Sequence, residues 1–138
     1  MSDRYLLDTN IISEIVRQGG GSVVLGRITG IGETNICTSA IVASELRYGA
    51  AKKGSELLSE KVERALRNID ILPYVAGASH TYGTLRTSLE RAGRLIGAND
   101  MLIAAHALSL GAILVTDNIA EFARIQGLRV ENWLRASA

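Results

Sequence analysis

The chain is short of several things, and each shortage removes a class of function. One cysteine, Cys37, in 138 residues rules out a disulfide within the chain and any thiolate metal cluster. It lies in the apolar run TNICTSAIV, where a buried packing role is expected rather than that of a nucleophile. The only two histidines, His80 and His106, have neither each other nor the cysteine at zinc-ligand spacing, and His106, set in an apolar helical run, is expected to be packed and hydrogen-bonded. One Trp, one Phe and four Tyr leave little for stacking on bases, so any nucleic-acid recognition must lean on shape and phosphate positions. A net charge of +1 gives no global basic field, and such a contact has to come from a local cluster. No apolar run approaches the ~18 residues that cross a bilayer, and no charged-then-apolar leader opens the sequence, so a cytoplasmic location without membrane attachment is expected.

What is present is ordinary for a folded protein: 47% hydrophobic and 21% charged residues. A length of 138 residues supports one hydrophobic core, and a single domain over 1–138 is expected. Arg4 to Leu7 reads as a short strand that ends at Asp8-Thr9-Asn10, after which Ile11, Ile12, Ile15 and Val16 follow helical spacing. Gly19-Gly20-Gly21 stops that helix, and Val23, Val24, Ile28 and Ile31 predict another. Thr34 to Thr38 reads as a strand, with Ser39 as N-cap of a helix from Ala40 that carries Glu45. The polar stretch Lys52 to Lys61 reads as a turn, and Val62, Ala65, Leu66 and Ile69 resume the helical period. A strand over Ile69 to Leu72 precedes the single proline, Pro73, and helices follow over Ala76 to Arg91 and Ala98 to Leu110. Ala112 to Val115 is a buried-strand run ending in Thr116-Asp117-Asn118; a short helix through Phe122 and a strand at Leu128 to Val130 close the chain. Strands alternating with helices predict an α/β fold, a parallel sheet with helices on both faces.

In such sheets ligands bind beyond the carboxyl ends of the strands. Two predicted strands end in acids there, Asp8 and Asp117, while Glu45 and Asp100 sit on flanking helices, Asp100 in a first turn and Glu45 within an apolar pattern. Taken singly, each has a plain structural reading: Asp8 as an N-cap, Asp100 as a complement to a helix dipole, Glu45 as a solvated charge. Taken together they can converge. Converging carboxylates repel and raise each other's pKa, a penalty that a divalent cation removes, and hard oxygen donors without His or Cys point to Mg²⁺ or Mn²⁺.

The segments YLLDTNIISEIV, TSAIVASELRYGA and IGANDMLIAAHALSLGAILVTDNIAEFARIQGLRVENW together resemble the PIN-domain nucleases, and among them the VapC toxins of bacterial toxin–antitoxin pairs. The likeness runs over nearly the whole chain with its motifs in order. It implies a Mg²⁺-dependent endoribonuclease, usually dimeric, that cuts structured RNA such as tRNA and is neutralised by a cognate VapB-like antitoxin, through which alone DNA is contacted. It also implies catalytic roles for Asp8 in DTN, Glu45 in SEL, Asp100 in ND and, at the fourth position, Asn118. Asn118 departs from an all-acid quartet, though asparagine is an alternative within the family; whether it or Asp117 faces the site stays open, with Asn118 favoured.

The expected chemistry is phosphodiester hydrolysis with the ion held by Asp8 and Asp100, and with Glu45 completing the shell through water or helping to deprotonate the nucleophile. Thr9 and Thr116 are candidates to orient the carboxylates. Arg47, Arg86, Arg91 and Arg94 are candidates for a local phosphate track, although solvated helix faces explain isolated arginines as well. Two other readings stand beside this one. A catalytically silent module would use the same acids to hold a metal or a partner's arginine. A nucleotide-binding protein is suggested by the glycine run alone, which neither follows a strand nor precedes GKS/T.

Overall fold

The computed structural model describes residues 2–135. β1 (Tyr5–Leu7) enters α1 (Thr9–Gln18) directly, because Asp8 keeps an extended backbone and caps the helix with its own carboxylate. Ile11, Ile12 and Ile15 form the buried stripe of α1, and Gly19, at φ 56°, ends it in a conformation that side chains resist. α2 (Val23–Ile31) starts at the N-cap Ser22. β2 (Ile36–Ser39) follows a single 3-10 turn at Glu33–Asn35, so the strand begins two residues later than Thr34 and runs through Ser39. Ser39 still caps α3 (Ala40–Lys53), its Oγ accepting from the Ile41 N–H.

The largest departure from expectation is in the Lys52 to Lys61 stretch. It is mostly helix: α3 runs to Lys53, Gly54 turns at φ 63°, and α4 (Glu56–Leu66) starts at once because Ser55 Oγ caps the Leu58 N–H. Only Gly54 and Ser55 break the helices, and the charged residues there are the last turn of α3 (Lys52, Lys53) and exposed positions of α4. β3 (Asp70–Leu72), α5 (Ala76–Arg91), α6 (Ala98–Leu110), β4 (Ile113–Val115) and α7 (Ile119–Phe122) agree with expectation to within a few residues. β5 (Val130–Glu131) lies two residues further on than Leu128.

All pairings in the sheet are parallel, in the order β3-β2-β1-β4-β5. From β1 the chain steps outward to β2 and β3, then returns across the sheet to β4 and steps out the other way to β5. Right-handed crossovers therefore put the first set of helices on one face and the second on the other. The reversal falls between β1 and β4, the topological switch point, where loops part and leave a crevice above the strand ends. Asp8 follows β1 and Thr116 follows β4, and the Asp8 N–H donates to the Val115 carbonyl at 2.9 Å, which extends the ladder to the brink of that crevice. The core between sheet and helices holds Leu6, Leu7, Ile11, Ile12, Ile103, Leu114 and Phe122, all without solvent exposure. Cys37 is packed among them, its thiol pushed up to about 11 by burial, as an inert residue is.

Candidate active site

Asp8 is 4% exposed and fully engaged: Oδ1 accepts from the Thr9 N–H and Oδ2 from the Thr116 hydroxyl, both at 2.8 Å. Burial pushes its carboxyl above the ordinary carboxylate value; the two hydrogen bonds pull it down and Glu45 pushes it up again. Thr9 serves twice, since its hydroxyl donates to Glu45 Oε1 at 2.6 Å and so aims the α3 carboxylate back toward β1. Glu45 is half-buried, and the Asn99 amide approaches its other oxygen at 3.5 Å from the first turn of α6.

Asp100, also in that first turn, completes the group. Its pKa is raised to about 6, first by burial and then by repulsion from Asp8, Glu45 and Glu121. Three side chains expected from the sequence, from β1, α3 and α6, thus share one electrostatic environment. Gly97 makes room: a Cβ there would stand 3.2 Å from Asp100 Oδ2. Among the described residues no three acidic, His or Cys side chains close on a single point as they stand, so the acids meet at the range of mutual repulsion rather than of shared ligation.

The loop after β4 divides its residues between two directions. Thr116 is fully buried; its hydroxyl donates to Asp8 and accepts from the Asn118 N–H at 3.1 Å and, more distantly, from the Asn10 amide at 3.4 Å. Asp117 turns away, its carboxylate taking the Asn132 amide at 2.8 Å and Arg135 at 3.3 Å, while only its backbone N–H serves the loop by donating to Asn10 Oδ1. It is absent from the groups that shift Asp100, and Glu121 stands there instead. Asn118 caps α7 half-buried, three residues before Glu121.

Of the four arginines, Arg47 is held bidentately by Glu63 at 2.9 and 3.0 Å, which ties α3 to α4, and Arg86 is spent on Tyr82 and Glu90 of its own helix. Arg91 and Arg94 are exposed beside the loop that leads to Gly97, and Arg124 joins them there by donating to the Leu95 carbonyl at 3.4 Å. Sequence reasoning passed over Asn10, Asn99 and Glu121. Each carried a signal: Asn10 and Asn99 adjoin recognised site residues, and Glu121 lies one helical turn beyond Asn118.

The donors that face this hollow are oxygens of Asp8, Glu45 and Asp100, with Glu121 near. Their mutual repulsion, felt most at Asp100, is the kind that a hard dication relieves, so Mg²⁺ or Mn²⁺ suits the donor set.

The PIN domain family matches residues 5–128. Ribonuclease VapC2 of Rickettsia felis is 41% identical over 130 residues, covering 94% of this chain and 97% of that protein. The tRNA(fMet)-specific endonuclease VapC of Shigella flexneri is 37% identical, covering 94% and 98%. The crystal structure of VapBC2 from Rickettsia felis bound to a DNA fragment from their promoter superposes with a TM-score of 0.86 at 40% identity, covering 94% of this chain and 98% of that one. With its three acids brought to the switch point of a five-stranded parallel sheet, and with these relatives along nearly its full length, the chain belongs to the PIN-domain family, among the VapC ribonucleases.

Proposed function

We propose that the protein is a Mg²⁺-dependent endoribonuclease toxin that hydrolyses phosphodiester bonds of structured RNA, tRNA included, and is neutralised by a cognate antitoxin. The observation that carries the reading is the gathering of Asp8, Glu45 and Asp100 at one strand-end crevice, where Thr9 and Thr116 aim the first two and burial with the neighbouring carboxylates raises the third. Asp8 and Asp100 would hold the ion, Mn²⁺ serving as well as Mg²⁺. When bound, the ion supplies the charge that activates water and offsets the negative charge building on the phosphorus.

The chain's own residues do the rest. Thr9 and Thr116 fix the rotamers of Glu45 and Asp8 before any ligand arrives, which reduces the reorganisation left to the reaction. Glu45, half-exposed and held through one oxygen, is placed to accept a proton from attacking water. Asn118, next in the loop after Thr116 and Asp117, would serve at the fourth position as a neutral group that adds no further repulsion. Arg91, Arg94 and Arg124 give the RNA backbone a basic flank beside the acids, and Arg47 and Arg86, already paired, contribute little to it.

The same crevice suits a partner's Arg or Lys, which would occupy the place of the ion and switch the enzyme off. An apolar groove of about 400 Å³ between α1, α2 and α4, floored by Ile15, Val16, Leu25 and Ile28, offers such a partner further purchase. DNA contact belongs to that partner, and a homodimer is the assembly this reading carries with it. Among the described residues no helix is long and apolar enough to cross a membrane.

Sequencing RNA ends after brief expression tests the reading. The wild type should yield discrete new ends that vanish in Asp8→Asn and Asp100→Ala. Ends that persist in both variants would remove the carboxylates from catalysis, and a wild type that yields no new ends would leave a module that binds without cutting.

A further inference from the structure

His106 lies in the buried stretch of α6, 1% exposed, and takes no part in the carboxylate site. Its Nδ1 is 2.8 Å from the Oγ of Ser39, which is itself fully buried at the end of β2. Ser39 Oγ already accepts the Ile41 N–H as the cap of α3, so its own proton is free for Nδ1, and burial keeps the imidazole neutral. The opposite arrangement, Nδ1–H donating to Oγ, joins the same two atoms and leaves the serine proton, in place of the ring Nε2–H, without a hydrogen-bond partner among the described residues, so the bond ties α6 to the cap of α3 in either tautomer. Tyr74 meets the ring edge-on with centroids 5.6 Å apart.

The consequence lies in what this bond joins. α3 carries Glu45 and α6 carries Asp100. Around His106, α6 is buried on every side, and its other buried residues there, Ile103, Ala104, Ala105 and Ala107, are small or aliphatic. Apolar packing is non-directional and tolerates small slides and rotations, whereas one buried polar contact selects a single register. β1 and β2 are locked by the Thr38 hydroxyl on the Leu7 carbonyl at 2.7 Å, and Asp8 is locked to β4 by Thr116. For α6 the hydrogen bonds to the elements bearing the other acids are His106 to Ser39 and the long, exposed Asn99 to Glu45.

We propose that His106 is a positioning residue: its hydrogen bond to the cap of α3 fixes the register of α6, and through six residues of helix, ~9 Å, sets the reach of Asp100 toward Asp8 and Glu45. The proposal rests on the carboxylate site being the functional one. It assigns to a buried core histidine the same task that Thr9 performs at the surface of the site.

Three variants separate this from ordinary packing. His106→Asn puts an amide oxygen where Nδ1 stood, His106→Gln puts it near Nε2, and His106→Leu fills the space with no acceptor. The readouts are Mn²⁺ binding to the protein alone by calorimetry, without RNA, and amide exchange of the metal-free protein. His106→Leu and His106→Gln should weaken Mn²⁺ binding by about tenfold and speed exchange in the first turns of α6 more than in the sheet, while His106→Asn keeps most of the wild-type affinity. Wild-type binding in all three would overturn the proposal, and so would equal loss in His106→Asn and His106→Leu with exchange raised evenly throughout. Should the wild type bind no Mn²⁺, the carboxylate reading itself falls. The clamp is then judged on exchange, where protection of the first turns of α6 unchanged in His106→Leu would refute it.

Discussion

Thr116 shows how a single hydroxyl tunes an acid. Fully buried, it donates to Asp8 and accepts from the Asn118 N–H, and its bond to Asp8 opposes the desolvation that raises that carboxyl. Thr116→Val keeps the shape and removes the donor. We expect Asp8 to become harder to ionise, so that the acid limb of the pH–rate profile moves to higher pH and more Mg²⁺ is needed for half-maximal cleavage. The fold should lose about 1–3 kcal/mol in denaturant titrations, since the Asp8 oxygen is left buried and unmatched. An unchanged pH profile would show that the hydroxyl does not tune Asp8. At this scale the acids themselves were readable, because strand-end and first-turn positions are marked by the change in periodicity around them. Their partners were less so. That Asp117 turns to Asn132 and Arg135 depends on which way a three-residue loop twists, and alternation along the chain sets only odds for that. Glu121 escaped notice because its role comes from the angle at which α7 leaves the loop.

Among the elements, α1 is legible from its helical period and α6 from its continuous apolar run, and α5 and the central strands β1 and β4 also lie close to where the sequence puts them. The start of α4 is hidden in the sequence because its first turns are rich in charge, yet Ser55 and Gly54 hold a cap and a stop within two residues. Local capping chemistry there outweighs composition. The start of α6 carries function in its cap. Gly97 adopts φ −57°, which any residue tolerates, so its glycine is required by space and not by backbone freedom. A methyl group there would crowd Asp100 Oδ2 at 3.2 Å. Gly97→Ala should therefore leave thermal stability nearly unchanged and still weaken Mg²⁺ affinity, by about tenfold if Asp100 is displaced by a fraction of an ångström to an ångström. A stability loss with metal affinity intact would reverse that assignment.

For the molecule as a whole, order β3-β2-β1-β4-β5 places the reversal of the chain between the two strands that deliver Asp8 and Thr116, so topology alone selects the crevice. Strands alternating with helices were legible as α/β; the strand order was not, because short strands such as Asp70–Leu72 and Ile113–Val115 carry no record of which neighbour they choose. The crevice also makes the metal-free protein sensitive to pH. Asp100 holds its proton more tightly when folded, near 6, than at its ordinary 3.8. Between those values the folded state binds more protons than the unfolded one, so this group's contribution to stability falls as pH rises through the window and is fully lost above it. Thermal unfolding of metal-free protein should thus show an Asp100 contribution to stability that declines from pH 4 to pH 6.5 relative to Asp100→Asn, and added Mg²⁺ should reverse the decline; a flat difference between the two would contradict it. The most direct test follows the Asp100 carboxyl carbon by NMR across pH, with and without Mg²⁺. If the acids of β1, α3 and α6 face one another across a cation site, the group titrates near 6 in metal-free protein, falls when Asp8 is changed to Asn while burial, Glu45 and Glu121 still hold it above its ordinary 3.8, and falls in the wild type when Mg²⁺ is added; a titration that neither Asp8→Asn nor Mg²⁺ moves would mean that the carboxylates do not meet.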